Sequence, residues 1–112
     1  MQSTDQETWD ALYETLRAKY LAAIPQRVET LLTLLREIEH SDDPGLLRED
    51  LTFHAHKIAG SGKTYGFDEV SLHARRLEDD LLDFSLTLEE AVRPAADLIK
   101  ACRQAMASQA PN

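Results

Sequence analysis

The chain has 112 residues, a length that fits one domain over residues 1–112, and its hydrophobic fraction of 43% is too high for a disordered chain. The formal net charge of -8 at pH 7 disfavours nucleic acid and anionic lipid, so we expect a protein partner. No apolar run is long enough to span a membrane, and the polar, acidic N-terminus is unlike a secretory signal. Because Cys102 is the single cysteine, no internal disulfide forms, and a reducing compartment such as the cytoplasm fits best.

Apolar residues recur at helical spacing along most of the chain, and no segment alternates like a half-buried strand. The first set lies on one helical face and consists of Trp9, Leu12, Tyr13, Leu16 and Tyr20. The second set follows Pro25 and consists of Val28, Leu31, Leu32, Leu35 and Ile38. Pro25 predicts a break or a kink between the two sets, or the first turn of a second helix.

Capping residues mark the helix boundaries in the rest of the chain. Asp43 and Pro44 predict the N-cap and first position of a third helix, which runs from about residue 45 to 63 and exits at Gly66. Asp68 is expected to cap a fourth helix, whose apolar stripe is Val70, Ala74, Leu77, Leu81 and Phe84. A capping box at Thr87 and Glu90 precedes a fifth helix, whose apolar side consists of Leu88, Val92, Ala95, Ile99, Cys102 and Met106.

The connections between these helices are short, which favours antiparallel neighbours. The expected fold is therefore all-α: an up-and-down antiparallel four-helix bundle with an additional N-terminal helix. The chain ends, residues 1–4 and 108–112, are expected to fray. We also expect the protein to be a monomer.

The third predicted helix is unusual because it contains Gly60 and Gly62, and each glycine costs roughly 1 kcal/mol relative to alanine inside a helix. At the angular spacing of a helix, His56, Gly60 and Lys63 share the solvent-facing side, whereas His54 faces the core. Gly60 would then leave the His56 imidazole open to another protein, and Lys63 would bring a positive charge close to an anion on that ring. An ordinary surface histidine beside a helix-end glycine pair explains this geometry equally well.

Residues 56–67, which read HKIAGSGKTYGF, resemble the phosphorylation segment of histidine-containing phosphotransfer domains. In that family the histidine is followed by an apolar residue, a lysine, a glycine and two small residues, and a later glycine closes the helix. The ending TYGF is similar to that of the phosphotransfer domains of bacterial chemotaxis kinases. Leu77 and Glu78 match an apolar–glutamate pair of many members, and the predicted helices agree with the family over nearly the whole chain.

The resemblance implies that His56 is the phosphoacceptor and that the phosphoryl group attaches at Nε2. It also implies that Gly60 provides clearance and that Glu78 binds the other ring nitrogen, which fixes the tautomer and leaves Nε2 free to attack. The alternative for the Glu78 carboxylate is a surface ion pair with Arg75, one turn earlier.

One position departs from the family pattern. The usual lysine, three residues after the histidine, is Ala59 here. We therefore expect another basic residue to compensate the phosphoryl charge, with Lys63 favoured over Lys57 and Arg75 because it shares the face of His56. Lys57 and Arg75, together with Gly60, are expected to contact the partner.

The function implied by the resemblance is that of a phosphorelay carrier without kinase activity of its own. The receiver domain of an upstream hybrid histidine kinase, or a kinase, would donate the phosphoryl group, and an aspartate of a response-regulator receiver domain would accept it. The receiver would supply Mg²⁺, so neither a cofactor nor metal ligands are expected in this chain. The receiver should dock on an apolar patch around His56, with Phe53 and either Tyr65 or Phe67 as neighbours.

Three alternatives compete with this interpretation. Residues 59–64, which read AGSGKT, look like the end of a nucleotide-binding P-loop, but Lys57 stands where that motif needs a glycine, and the preceding residues predict a helix rather than a strand. His54 and His56 could suggest a metal site, yet they point in nearly opposite directions on a helix, and His54 is expected to be buried and hydrogen-bonded. A helical-bundle binding module without phosphotransfer is the third alternative.

Overall fold

The structure, a computed structural model, describes residues 2–108 and the side chains of residues 5–108. The all-α prediction is confirmed, because no strand occurs within this range. The four α-helices are α1 (Gln2–Arg36), α2 (Pro44–Thr64), α3 (Asp68–Leu82) and α4 (Val92–Ser108). A 3₁₀ turn at Glu89–Ala91 leads directly into α4. The fraying expected at residues 1–4 and 108–112 concerns positions that mostly lie outside the described side chains.

Each helix packs against two neighbours, in the closed order α1, α2, α3, α4 and back to α1, which gives the predicted bundle. All four helices contribute to one core, whose largest fully buried side chains are Ile24, Leu31, Leu51, Ile58, Val70, Leu77, Leu81, Leu98 and Cys102. Within the described residues, no helix combines the length and the apolar character that crossing a bilayer requires.

The expected break at Pro25 is wrong, because Pro25 lies inside the continuous helix α1. A proline inside a helix removes one backbone hydrogen bond and costs about 3 kcal/mol or more. Here Ile24, Val28 and Leu31 are all buried around it, so the turns of α1 on both sides of the proline are held against the bundle on one helical face. Pro25 itself is exposed, and its ring adds no crowding to the core. The additional N-terminal helix is therefore an extension of α1.

Several of the predicted helix ends are confirmed. The Asp43 side chain accepts a hydrogen bond from the Leu46 backbone N–H at 3.0 Å, which caps α2. The capping box holds as well, since Glu90 accepts from the Thr87 backbone N–H at 2.6 Å and Thr87 Oγ1 accepts from the Glu90 N–H at 3.3 Å. Gly66 leaves α2 with φ of 82°, a conformation that favours glycine.

The two predictions for the ends of the fourth predicted helix, now α3, are wrong. Phe67, not Asp68, occupies the N-cap position, and no side chain caps this end. Asp68 instead lies in the first turn, where its negative charge interacts favourably with the helix dipole. Phe84 does not extend the apolar stripe, because α3 ends at Leu82 and Phe84 is 78% exposed beyond it.

Candidate functional site

Small residues bring α2 and α3 close together. Ala55, Ala59 and Gly62 are buried on α2, and Ser71 on α3 donates a buried hydrogen bond of 2.7 Å to the Ala59 carbonyl oxygen. A Cβ atom on Gly62 would lie 3.4 Å from both the Phe67 carbonyl oxygen and the Ser71 nitrogen, so the two helices meet there almost backbone to backbone. This contact fixes the position of α3 along the axis of α2.

The close packing brings a histidine of α2 against a glutamate of α3. His56 Nδ1 lies 2.6 Å from Glu78 Oε2, and the side chains are 77% and 18% exposed, respectively. Because a carboxylate only accepts hydrogen bonds, the Nδ1–H of His56 donates to Glu78. The expected alternative pair is absent, since no ion pair joins Arg75 and Glu78 within the described residues. The structure therefore brings Glu78 to the Nδ1 side of the His56 ring.

The second ring nitrogen of His56 is left open to solvent. No described residue forms a hydrogen bond with Nε2. One turn further along α2, a Cβ atom on Gly60 would meet nothing within 4 Å. Packing of the bundle therefore does not require a glycine at position 60, whereas it does require one at position 62. The open space at Gly60 fits the predicted clearance beside the imidazole.

A groove of ≈ 480 Å³ runs from His56 towards the N-terminal end of α2. It is lined by Gly45, Arg48, Glu49, Thr52, Phe53, His56, Glu78, Leu82 and Phe84. Phe53, Leu82 and Phe84 are 60%, 55% and 78% exposed, which is unusual for large apolar side chains. The predicted apolar patch therefore exists, and Phe53 belongs to it. Leu82 and Phe84 were missed, because the sequence pattern had assigned Phe84 to the core side of a longer helix.

Arg48 fixes the loop that presents Phe84. Its Nη1 donates to the Leu81 carbonyl oxygen and its Nη2 to the Leu86 carbonyl oxygen, both at 2.7 Å. The Arg48 guanidinium carbon also lies 5.1 Å from the centre of the Phe84 ring. One side chain of α2 thus satisfies the carbonyl end of α3 and supports an exposed aromatic ring at the rim of the groove.

None of the predicted basic residues forms a described contact with His56. Lys63 and Arg75 are exposed, and neither side chain forms a described hydrogen bond or ion pair. Lys57 Nζ lies 5.8 Å from the centre of the Phe53 ring, so Lys57 contributes to the patch beside the groove. Ala59, at the position of the family's usual lysine, is buried under Ser71.

The prediction that Tyr65 or Phe67 lies beside the His56 patch is wrong, because both residues follow the C-terminal end of α2. Their rings pack on Tyr20, at centroid distances of 5.5 Å and 5.3 Å. Burial raises the pKa of the Tyr20 hydroxyl, which lies against Gly62. These aromatic residues pack α1 against the C-terminal end of α2 and are not part of the groove.

The other residues that the sequence raised as candidates do not form a functional site within the described part of the chain. His54 is half-buried rather than buried, with its ring edge-on to Phe53 at 5.3 Å. Among the described residues, no three His, Cys, Asp or Glu side chains are grouped to bind a metal. Burial raises the pKa of the Cys102 thiol to about 11, so this sulfur is an inert part of the core. The P-loop alternative is wrong, since residues 59–64 are helical.

Together these features describe a helical bundle with an exposed histidine whose Nδ1 contacts a carboxylate and whose Nε2 is open to solvent. The family model for the Hpt domain matches residues 15–109, and the chain belongs to this family. Its general role is therefore histidine phosphotransfer in two-component signalling, in which Hpt domains interact with receiver domains and histidine kinases. Neither the curated proteins nor the solved structures gave a match. The closer likeness to chemotaxis kinases stays a prediction.

Proposed function

We propose that His56 is the phosphorylated residue of this carrier, and that Glu78 orients it. The observation that supports the assignment is the 2.6 Å contact between His56 Nδ1 and Glu78 Oε2 on an otherwise exposed ring. The contact selects the tautomer that has its lone pair on Nε2. It also places a negative charge beside the ring, which favours the imidazolium that forms when Nε2 bonds to phosphorus.

The transfer is a displacement at phosphorus. The Nε2 lone pair of His56 attacks the phosphoryl group of a receiver aspartyl phosphate, and the bond between phosphorus and the aspartate oxygen breaks. The aspartate leaves as a carboxylate, and the ring becomes an N-phosphorylated imidazolium whose Nδ1–H remains bonded to Glu78. Attack by the aspartate of a second receiver reverses these changes, so no proton has to leave the ring in either direction.

The partners of the proposed reaction are two receiver domains, one upstream in a hybrid histidine kinase and one in a response regulator. The receiver supplies Mg²⁺ and the acidic pocket, because transfer relies on positioning and on charge neutralisation at the phosphoryl oxygens. The chain then needs no metal or cofactor and has no kinase activity of its own. This chemistry belongs in the cytoplasm, where response regulators act.

The docking surface is the groove together with the open side of α2. Phe53, Leu82 and Phe84 offer apolar contacts, and the bare backbone at Gly60 allows the receiver to approach Nε2 closely. Lys57 and Arg75 are exposed beside this surface and are proposed to contact the acidic rim of the receiver pocket. A receiver approaching here reaches Nε2 without displacing any bond made by Nδ1.

Lys63 is the residue we propose to compensate the phosphoryl charge in place of the family's usual lysine. It lies two turns after His56 on the same exposed face of α2 and forms no described contact that would hold it elsewhere. Its flexible stem allows the ammonium group to reach back toward an anion on the ring.

The proposal is tested with receiver domains that have been charged with radiolabelled acetyl phosphate and mixed with the purified chain. The expected product is acid-labile, alkali-stable label on the wild-type chain and on the His54→Gln variant, with none on His56→Gln. The His54 variant is a matched control, since its ring lies on the same helix two residues away. Label that persists on His56→Gln would exclude the site, and binding of the receiver without label would favour the module without phosphotransfer.

A further inference from the structure

Most polar side chains that line the groove beside His56 already have a partner within the bundle. Arg48 donates to two carbonyl oxygens, and the Thr52 hydroxyl donates to a third, all at 2.7 Å. Glu78 is bonded to His56 at 2.6 Å. Among the described side chains of this lining, two polar groups are therefore left for a partner. They are Nε2 of His56, which the proposed transfer uses, and the carboxylate of Glu49.

The Glu49 carboxylate is exposed and has no charged neighbour on its own helix face. The residues three and four positions away on α2 are Gly45, Leu46, Thr52 and Phe53, and none of them carries a charge. No ion pair involving Glu49 occurs within the described part of the chain. The other acids near this end of the bundle do not line the groove, and they are Asp50, Asp79, Asp83 and Glu89.

Glu49 shares the face of α2 that carries His56 and lies seven residues before it. Seven residues make nearly two full helical turns and span roughly 10 Å. Phe53 lies between the two on α2, and Leu82 and Phe84 line the groove from the end of α3 and the loop after it. A receiver that covers these apolar side chains while its aspartate meets Nε2 therefore covers Glu49 as well.

A covered Glu49 needs a cation from outside the chain. A carboxylate that loses its water against an apolar surface is destabilised unless a cation pairs with it. Arg48 keeps its guanidinium on the loop after α3, and Lys57, the next base along α2, lies roughly 12 Å further on with its ammonium group over the Phe53 ring. A receiver that brings an apolar or acidic group to this place is therefore disfavoured.

We propose that Glu49 is a specificity-determining residue of the docking surface, and that it pairs with a lysine or arginine that lies on the receiver roughly 10 Å from the phosphorylated aspartate. The inference rests on the proposed function, because it takes the receiver as the partner. At the His56 end of the same surface, the exposed bases Lys57 and Arg75 are proposed to meet the acidic rim of the receiver pocket. An acid at one end and bases at the other admit the receiver in one orientation.

The test measures transfer to the full chain from a receiver domain that labels His56. Glu49→Gln should raise the KM for this receiver roughly 10-fold, and Glu49→Lys should raise it roughly 100-fold, because the second change sets two cations against each other. The loss should fall on KM rather than on kcat, since the reacting nitrogen is unchanged. Asp50→Lys is the matched control. It makes the same change in net charge on the adjacent residue, which points about 100° away from the groove, so its KM should change less than about 2-fold.

The partner residue is identified by reversing charges on the receiver. Each lysine and arginine around the receiver's aspartate is replaced by glutamate, one at a time. One of these variants should be impaired with the wild-type chain and should restore the KM of Glu49→Lys to within roughly 3-fold of the wild-type pair.

Equal KM values for Glu49→Lys and the wild type, or equal losses in Glu49→Lys and Asp50→Lys, would overturn the inference while His56 still receives label. Failure of every receiver reversal to restore Glu49→Lys would overturn the pairing as well. A wild-type chain that takes no label from any receiver would overturn the proposed function together with this inference.

Discussion

His56 and Glu78 come from different helices, and the 2.6 Å contact between their side chains joins the exposed face of α2 to α3. The ring is 77% exposed while the glutamate is only 18% exposed, so the carboxylate is held and the imidazole is accessible. The orientation of the imidazole therefore depends on how closely α2 and α3 pack. That packing depends on Gly62 and on the hydrogen bond from Ser71 to Ala59.

Removing the Glu78 carboxylate is expected to slow phosphotransfer. A hydrogen bond to a charged group contributes about 1.5–3 kcal/mol, and the exposed ring places this one at the lower end, so Glu78→Ala should reduce the transfer rate roughly 10-fold. Nitrogen NMR should show His56 moving to a mixture of both tautomers. Glu69→Ala is the control on the same helix, because Glu69 pairs with His73 at 3.6 Å. An unchanged tautomer in Glu78→Ala would contradict the assigned role.

The two glycines of α2 are expected to respond in opposite ways to alanine. Gly60→Ala should raise the free energy of unfolding by about 0.5–1 kcal/mol, since the new Cβ meets nothing and alanine is the better helix former. Gly62→Ala should lower it by about 1–2 kcal/mol, because the Cβ would press on the Tyr20 hydroxyl at 3.2 Å and on two backbone atoms of the next segment. Urea denaturation of both variants measures the difference.

A larger side chain at position 60 separates stability from function. Gly60→Gln should fold at least as stably as the wild type, yet slow transfer from a receiver roughly 10-fold or more, because the receiver backbone can no longer approach Nε2 in line. Equal transfer rates in Gly60→Gln and the wild type would show that the open space beside His56 is not the docking path.

Lys63 is expected to stabilise the phosphorylated state modestly. Exposed charge pairs contribute about 0.2–1 kcal/mol, so Lys63→Ala should reduce the transfer rate or the phosphohistidine lifetime roughly 2- to 5-fold. The effect should weaken as salt is added. Lys57→Ala and Arg75→Ala are the matched comparisons, and a larger loss of lifetime in either of them would move the role away from Lys63.

Phe84 is expected to act in receiver binding and not in folding. Its ring is 78% exposed, so Phe84→Ala should leave the free energy of unfolding unchanged but raise the KM for the receiver roughly 10-fold, which corresponds to a loss of about 1.4 kcal/mol of binding free energy. Arg48→Met removes the two 2.7 Å bonds that fix the loop, and it should lower both stability and receiver affinity. A normal KM in Phe84→Ala would exclude this side of the groove as the docking surface.

Much of this architecture follows from local sequence patterns. The caps at Asp43 and at Thr87–Glu90, and the exit at Gly66, depend on residues a few positions apart, and all three are confirmed. Pro25 could not be placed this way, because burial on both sides of the proline overrides its local penalty. The continuity of α1 through Pro25 is thus a product of tertiary packing.

The candidate site, too, was predicted only in part from local sequence patterns. The outward position of His56 follows from helical periodicity, and the pairing with Glu78 came from the family resemblance. Phe84 was assigned to the wrong face, because α3 ends at Leu82 and the loop that carries Phe84 is held by Arg48, which lies more than thirty residues earlier in the chain. Contacts over such separations leave no periodic signal in the sequence.

The position of the phosphoryl group on the ring distinguishes the two ring nitrogens of His56 as its site of attachment. The ¹⁵N-labelled chain can be phosphorylated with phosphoramidate, whose P–N bond breaks to release ammonia, and the phosphorus–nitrogen coupling can be read by NMR. Phosphorus is expected to couple to Nε2 of His56, while Nδ1 keeps its hydrogen and its bond to Glu78. Coupling to Nδ1 of His56, or to a nitrogen of another histidine, would contradict it.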